Sequence, residues 1–393
     1  MPKTKIQSID SRRALTGACS LGTLGVLVFA ILPLLLGVVA DHLQLDESQT
    51  GLMASTYFGG FFLMTLTSVI WVRRVDWRWL VAIGAVLLLL GLALAANNLS
   101  YDGILYGLCL SGLGSAMLYA LSVTLVSDMG DKDRAFAIKL VPEQAIPALL
   151  LVLLPVLVIE SYGLQGVLLC LLLLCVVVIG PGFLIPSGGE HRVPGDTSAN
   201  TKVNPLVFIG LAGLVVFFAG FAGLWAFAER MAHEALNPEL VGMLLAMGLI
   251  GSALGPVASA WVGDRFGRMA PILLGSVLSL VALGLLIEPI TAVKFGLLMA
   301  ILPTSFYFAL SYLFGIISDA DVTGRFSSLI SSALALGAAI GPGLFGVILE
   351  QQGRMACYAF VAGSIIIGCG LSLWTERRLE RNQLQTFSLE QCS

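Results

Sequence analysis

The chain has 393 residues, of which 58% are hydrophobic and 11% charged. Soluble domains carry about 25% charge, so a water-exposed fold of this composition would leave far too much apolar surface in solvent. The formal net charge of −3 is divided among short segments, and no basic stripe points to nucleic acid.

Lys3, Lys5, Arg12 and Arg13 precede an apolar run that starts near Ala14. The pattern resembles a signal peptide, but the run is too long and no clear small-residue cleavage site follows. It is read as an uncleaved first span. A transmembrane helix needs about 20 mostly apolar residues to cross a hydrocarbon core about 30 Å thick. Twelve stretches meet this: 17–40, 50–71, 79–97, 102–126, 136–159, 163–186, 206–229, 239–262, 270–288, 294–317, 326–349 and 355–374. Helices satisfy their own backbone groups and are the spanning structure expected, and the short alternating segments of a β-barrel are absent.

Lys and Arg orient these spans. With the N-terminus in the cytoplasm, inside segments hold 18 of the 21, and the outside keeps Arg230, Lys294 and Arg354. Lys132, Arg134 and Lys139 are counted here as one inside segment. The expected setting is a bacterial-type inner (plasma) membrane with both termini cytoplasmic. The longest connection, 187–205, is rich in Pro, Gly, Ser and charge and reads as a cytoplasmic linker. It divides the chain into a first six-span bundle, 1–186, and a second, 206–376, followed by a cytoplasmic tail, 377–393. Of the seven cysteines, six fall in apolar stretches and none forms C-x-x-C, so they read as small packing residues. His42, His191 and His233 are dispersed and form no metal set.

The halves repeat. At a shift of 191, Ser127-Asp128 meets Ser318-Asp319, Arg134 meets Arg325, Gly51 meets Gly242, Leu45 meets Leu236 and Asp46 meets Asn237. With one residue of slippage, Trp71-Val72 matches Trp261-Val262 and Arg78 matches Arg268. Repeated halves joined by a linker place a transport site near the midplane, between the halves.

Twelve spans, a central linker, the repeat and one loop motif together resemble the major facilitator superfamily. The family's signature after the eighth span is close to G-x-x-x-D-R-x-G-R-R, and here Asp264, Arg265, Gly267 and Arg268 are in place, with Ala260 and Met269 at the two departures. The first-half copy keeps Arg78 but carries Arg74 and Trp77 where aspartate and glycine are usual. The resemblance implies an all-α membrane protein of two pseudo-symmetric six-helix bundles, with a cytoplasmic latch in which Asp264 meets a helix N-terminus and Arg268 pairs with Asp319. Two marks of drug:proton antiporters are missing: the fourth span has Leu108 and Ser111 where arginine and glutamine are usual, and the fifth has no Gly-Pro.

Glu143 stands well inside the fifth span, about 13 Å of helix beyond Arg134. A carboxyl at this depth is costly and usually marks an ion pathway, a proton relay or a binding cavity. Protonation is one neutraliser; Lys139, one turn nearer the cytoplasm, is another. Its repeat mate is Leu334. Pro142, Pro147 and Pro155 either bend this span beside Glu143 or are tolerated background. Arg230, next to Glu229, either attracts an anion at the outer mouth or anchors the interface and pairs with an acid. Asp41, Asp46 and Glu47 read as solvated loop charge. Tyr57, Ser115, Tyr119, Gln144, Trp225, Phe306, Tyr307 and Tyr312 are candidates for the cavity surface, the alternative for the aromatics being packing or lipid contact. They suit an amphipathic organic solute.

The reading is a secondary transporter that moves a small organic molecule through the bilayer by alternating access, with a proton as coupling ion and Glu143 as its carrier. No nucleotide-binding loop is present, so ATP is not the direct energy source; no cofactor and no catalytic residues are expected. A proton-independent facilitator, or a membrane-embedded sensor or enzyme on the same fold, are the alternatives.

Overall fold

A computed structural model describes residues 9–129, 132–187, 205–233, 235–263, 265–287, 289–320 and 329–391; the side chains of 69, 132–134, 136–137, 318–319 and 382–391 are outside that set. All regular structure among the described residues is helical. In chain order the α-helices are α1 (Arg12–Ala30), α2 (Leu32–Leu43), α3 (Glu47–Trp71), α4 (Trp77–Asn97), α5 (Tyr101–Ser127), α6 (Lys132–Leu154) and α7 (Glu160–Gly182). Then come α8 (Leu206–Ala226), α9 (Ala228–Ala232), α10 (Pro238–Val262), α11 (Met269–Leu283), α12 (Ala292–Ala320), α13 (Ile330–Gln352) and α14 (Arg354–Gln391).

These elements make twelve membrane-spanning helices. Among the described residues, ten helical runs are long and apolar enough to cross a membrane. One of them, Ile138–Gly182, has 45 residues. At about 1.5 Å per residue it is roughly twice the thickness of the hydrocarbon core. It divides at Gly163, whose φ of 53° is open to glycine at little cost, giving the fifth and sixth spans. The 25-residue α3 is the second, and α2 extends the first beyond a break at Ile31.

The helix starts follow local chemistry. Asp46 caps α3, accepting from the Gln49 amide at 2.7 Å while the Gln49 side chain accepts from the Asp46 amide. Its repeat mate Asn237 caps α10 through the Leu240 amide at 2.9 Å. Such caps satisfy amides that no helical carbonyl can reach. Ser100 does the same for α5. Large exposed apolar residues such as Leu63, Val177 and Trp261 form the outer surface of the bundle, as a lipid-facing surface requires.

The ends bearing Arg73, Arg265, Arg268 and Arg377 form one face, called here the basic face, and the starts of α3, α5 and α10 lie at the far face. The two halves meet along α3 with α13 and along α6 with α10, and these two pairings are repeat equivalents. Near the far face a Cβ on Gly51 would collide with the Pro342 carbonyl oxygen, and a Cβ on Gly242 with that of Leu151. Gly51 and Gly242 are repeat mates, and so are Leu151 and Pro342. The repeat visible in the sequence is thus a pair of backbone contacts in space.

α6 stays helical through Pro142 and Pro147, so neither proline breaks the span beside Glu143. The irregularity comes later, as a π-turn at Pro155–Ile159, because Pro155 has no N–H for the carbonyl of Leu151. Pro33 acts in the same way on α1, where it withholds a donor from the carbonyl of Phe29.

Candidate functional site

A cavity of about 300 Å³ lies between the two halves. From the first half it is lined by α1 (Gly25, Phe29), α3 (Phe58, Phe61), α5 (Tyr119) and α6 (Leu140, Glu143, Gln144). The second half contributes α8 (Phe218, Phe221, Trp225), α10 (Ser252, Pro256), α12 (Tyr307, Ser311, Phe314) and α13 (Ser331, Leu334). Leu334 is the repeat mate of Glu143, so the pseudo-symmetry sets a leucine opposite the carboxylate across the cavity.

The second-half wall is aromatic. Phe221 runs parallel to Trp225 with centroids 6.4 Å apart, and Tyr307 meets Phe221 edge-on at 5.4 Å. Phe306 stands behind them, stacked on Phe217 at 4.3 Å and Phe221 at 4.4 Å. Toward the far face the cavity ends where the Trp225 indole donates to the Phe29 carbonyl at 3.3 Å. That carbonyl is the one deprived of its helical donor by Pro33. Nearer the middle, Ser252 Oγ donates to Gln144 Oε1 at 3.3 Å, a further tie between the halves.

Glu143 is ion-paired with Lys139, and each side chain is 2% exposed. Of the two neutralisers that the sequence left open, the structure has Lys139, one turn from Glu143 on the same face of α6 and as deeply buried. Three neighbours hold the pair. The Lys139 ammonium lies 4.6 Å from the Tyr119 ring centroid, a cation–π geometry. Gly22 of α1 presses on the carboxylate, leaving no room for a side chain there. Ser122, beside Gly22, donates to the Ala18 carbonyl at 2.6 Å and keeps α5 against α1. The carboxylate cannot withdraw toward α1, and the side left open to it is the cavity.

Of the residues expected at the cavity, Tyr119, Gln144, Trp225 and Tyr307 line it along with Glu143. Four others do not. Tyr57 is fully buried behind Phe58 and Phe61, and Ser115 is buried where α5 meets α1 at Gly25. The Tyr312 hydroxyl donates to the Ser259 and Gly263 carbonyls at 3.3 and 3.1 Å, closing the end of α10. Arg230 is at the far face, where Nη2 and Nε reach the Glu47 carboxylate at 2.7 and 3.0 Å. Glu47 is accordingly a partner rather than solvated loop charge.

The sequence profile of the Major Facilitator Superfamily matches residues 14–233. The chain belongs to the Major Facilitator Superfamily. It is a membrane transporter, not an enzyme. It is 26% identical over 324 residues to Monocarboxylate transporter 11 of Mus musculus, covering 74% of this chain and 71% of that protein. Against Monocarboxylate transporter 11 of Homo sapiens it is 25% identical over 328 residues, 74% of this chain and 67% of the relative. In fold it is similar to a bacterial homolog of the human lysosomal transporter Spinster, solved in an inward-facing and occupied conformation. The TM-score is 0.67 at 14% identity, over 93% of this chain and 96% of that one.

The superfamily's loop signature lies on the basic face. Gly267 holds a φ of 62°, a conformation that suits glycine. Arg265 lies over the Trp261 ring, 5.9 Å from its centroid. Arg268 crosses α12 at Gly315 and is 3.8 Å from Glu376 of α14. Asp264 and the side chain of Asp319 lie outside the described residues, and with them the expected contacts of Asp264 with a helix start and of Arg268 with Asp319. In the first-half copy, Arg78 serves the start of α4, its amide donating to Asp76 at 2.8 Å. The fork to Asp128, the repeat mate of Asp319, comes from Arg73, at 2.9 and 3.0 Å. This bond holds the Arg73 guanidinium above its ordinary value. Sequence reasoning singled out Asp128 by the repeat but missed Arg73, because the motif's own spacing points to Arg78.

Proposed function

We propose that this transporter couples a proton to the movement of a small amphipathic organic solute bearing one carboxylate, by alternating access. The basic face is the cytoplasmic one, in keeping with the distribution of Lys and Arg. The first six and last six spans move as two bundles about the cavity. The observation that carries the reading is the buried Lys139–Glu143 pair at the wall of an aromatic cavity between the halves.

The pair is electrically neutral, and removal of either charge leaves the other uncompensated in a medium where that costs several kcal/mol per ion. A solute carboxylate that takes Lys139 displaces Glu143. The displaced carboxylate is then neutralised by a proton. Solute and proton therefore enter together and leave together, and the pair re-forms when both have gone. The facing aromatic wall supports a solute with an apolar body. The name of the 25–26% identical relatives supports the carboxylate.

The test is proton movement on solute addition. Proteoliposomes with a pH dye outside should report alkalinisation when a short-chain or aromatic monocarboxylate is added, above the signal of empty liposomes. The matching amide should give none. Equal transport of the amide, or carboxylate uptake with no proton signal, would contradict the proposal.

A further inference from the structure

Among the described residues, two kinds of contact close the far face of the protein, and only one of them is shared by the two repeats. The shared kind is packing. Gly51 of α3 against α13 and Gly242 of α10 against α6 are repeat-related close approaches, each too tight for a Cβ. Gly343 adds an amide that donates to Ser55 Oγ at 2.8 Å.

The second kind is ionic and occurs on the α3–α13 side. α9 follows a break in α8 at Phe227 and carries Arg230 onto the first half. There the guanidinium makes a fork to the two Glu47 oxygens at 2.7 and 3.0 Å, with Asp41 at 3.9 Å. Arg230 is only 16% exposed, and its two-point fork to one carboxylate fixes the geometry as a single contact would not. Glu47 is the first residue of α3, directly after the Asp46 cap, and has little freedom to follow a departing partner. One residue on, the Ser48 amide donates to Glu350 at the end of α13 at 3.1 Å. An open helix start favours such an anion. At the repeat-equivalent positions, 191 away, the charges are gone: Glu47 matches Pro238, Arg230 matches Val39 and Glu350 matches Ile159. The fold closes the α6–α10 arm without them, so packing suffices for closure and the charges add something else.

We propose that Arg230, Glu47 and Glu350 form a one-sided ionic latch that sets the balance between the closed and open states of the outer face, with Arg230 as its positioning residue. Outward opening separates α9 and α13 from α3 and must break both ties at once. The α3–α13 arm is the last to part, and the latch holds the resting protein closed on the outside. This inference rests on the alternating-access reading, but no solute identity enters it.

The experiment reads outer accessibility without a solute. Ala30, at the outer end of the cavity, is replaced by cysteine in a chain freed of its other cysteines. Labelling by a membrane-impermeant maleimide added outside is then followed. Glu47→Gln, Arg230→Gln and Glu350→Gln should each raise the labelling rate several-fold, and the Glu47→Arg/Arg230→Glu exchange should return it toward that of the parent. Raising the salt concentration should speed labelling of the parent but not of Arg230→Gln, which keeps the latch testable if another variant folds poorly. Gly242→Leu, which wedges the α6–α10 arm, is the control. If it raises labelling while the latch variants and salt do not, the latch is overturned and alternating access stands. If it too leaves Ala30→Cys unlabelled, both readings fall.

Discussion

At the scale of single residues, the pair four apart on α6 explains how a carboxylate is held inside the membrane at all. Gly22 blocks its retreat and Tyr119 faces its lysine. Glu143→Gln or Lys139→Gln alone leaves one buried charge unmatched and should cost about 3–5 kcal/mol. The Lys139→Gln/Glu143→Gln double variant should recover most of that loss. Unfolding in detergent, followed for all three variants, checks this; a double variant no more stable than the singles would show that the charges do not compensate each other. Glu143 was legible because a carboxyl among apolar residues stands out. Lys139 was legible as a rival neutraliser four residues away, but spacing alone does not choose between it and a proton; burial of both side chains does. Tyr57, Ser115 and Tyr312 failed as cavity residues for another reason. Sequence gives depth along a span, but in lipid the outward face is as apolar as the inward one, so the pattern that tells a soluble helix which side is buried is missing.

At the scale of elements, the repeat carries the fold. The matches of Asp46 with Asn237 and Gly51 with Gly242 mark a pair of helix caps and a pair of close backbone approaches, each a local physical requirement. Boundaries were harder to read. α1 and α2 meet at a break, and α6 passes into a π-turn, because Pro33 and Pro155 each remove one donor; hydropathy does not register a single missing N–H. Where the freed Phe29 carbonyl goes depended on the other half, which supplies Trp225. Gly51→Leu and Gly242→Leu should both keep the outer ends apart. Each is expected to fold, since the proposed cycle includes a state with these ends apart, and to lose net flux at least tenfold because the far face no longer closes. A flux assay beside a size-exclusion profile checks this, and normal flux in either variant would contradict the closing role of these contacts.

At the scale of the whole molecule, two repeat-related helix pairs bracket a cavity with aromatic side chains on both walls and the Lys139–Glu143 pair at the first-half wall. The orientation proposed from the basic residues puts the linker inside the cell. A lone cysteine at Ser198 should react with a membrane-permeant reagent and not with an impermeant one in intact cells; labelling by the impermeant reagent would invert the topology. The central claim is that the proton travels by way of Glu143. Its most direct test is solute accumulation in proteoliposomes under an imposed pH gradient, for the parent and for Glu143→Gln. The account predicts that the parent concentrates the solute. Glu143→Gln should only exchange it at equal concentrations, because Lys139 still receives the carboxylate but no site remains to carry the proton. A Glu143→Gln protein that concentrates its solute when the gradient is applied would contradict it.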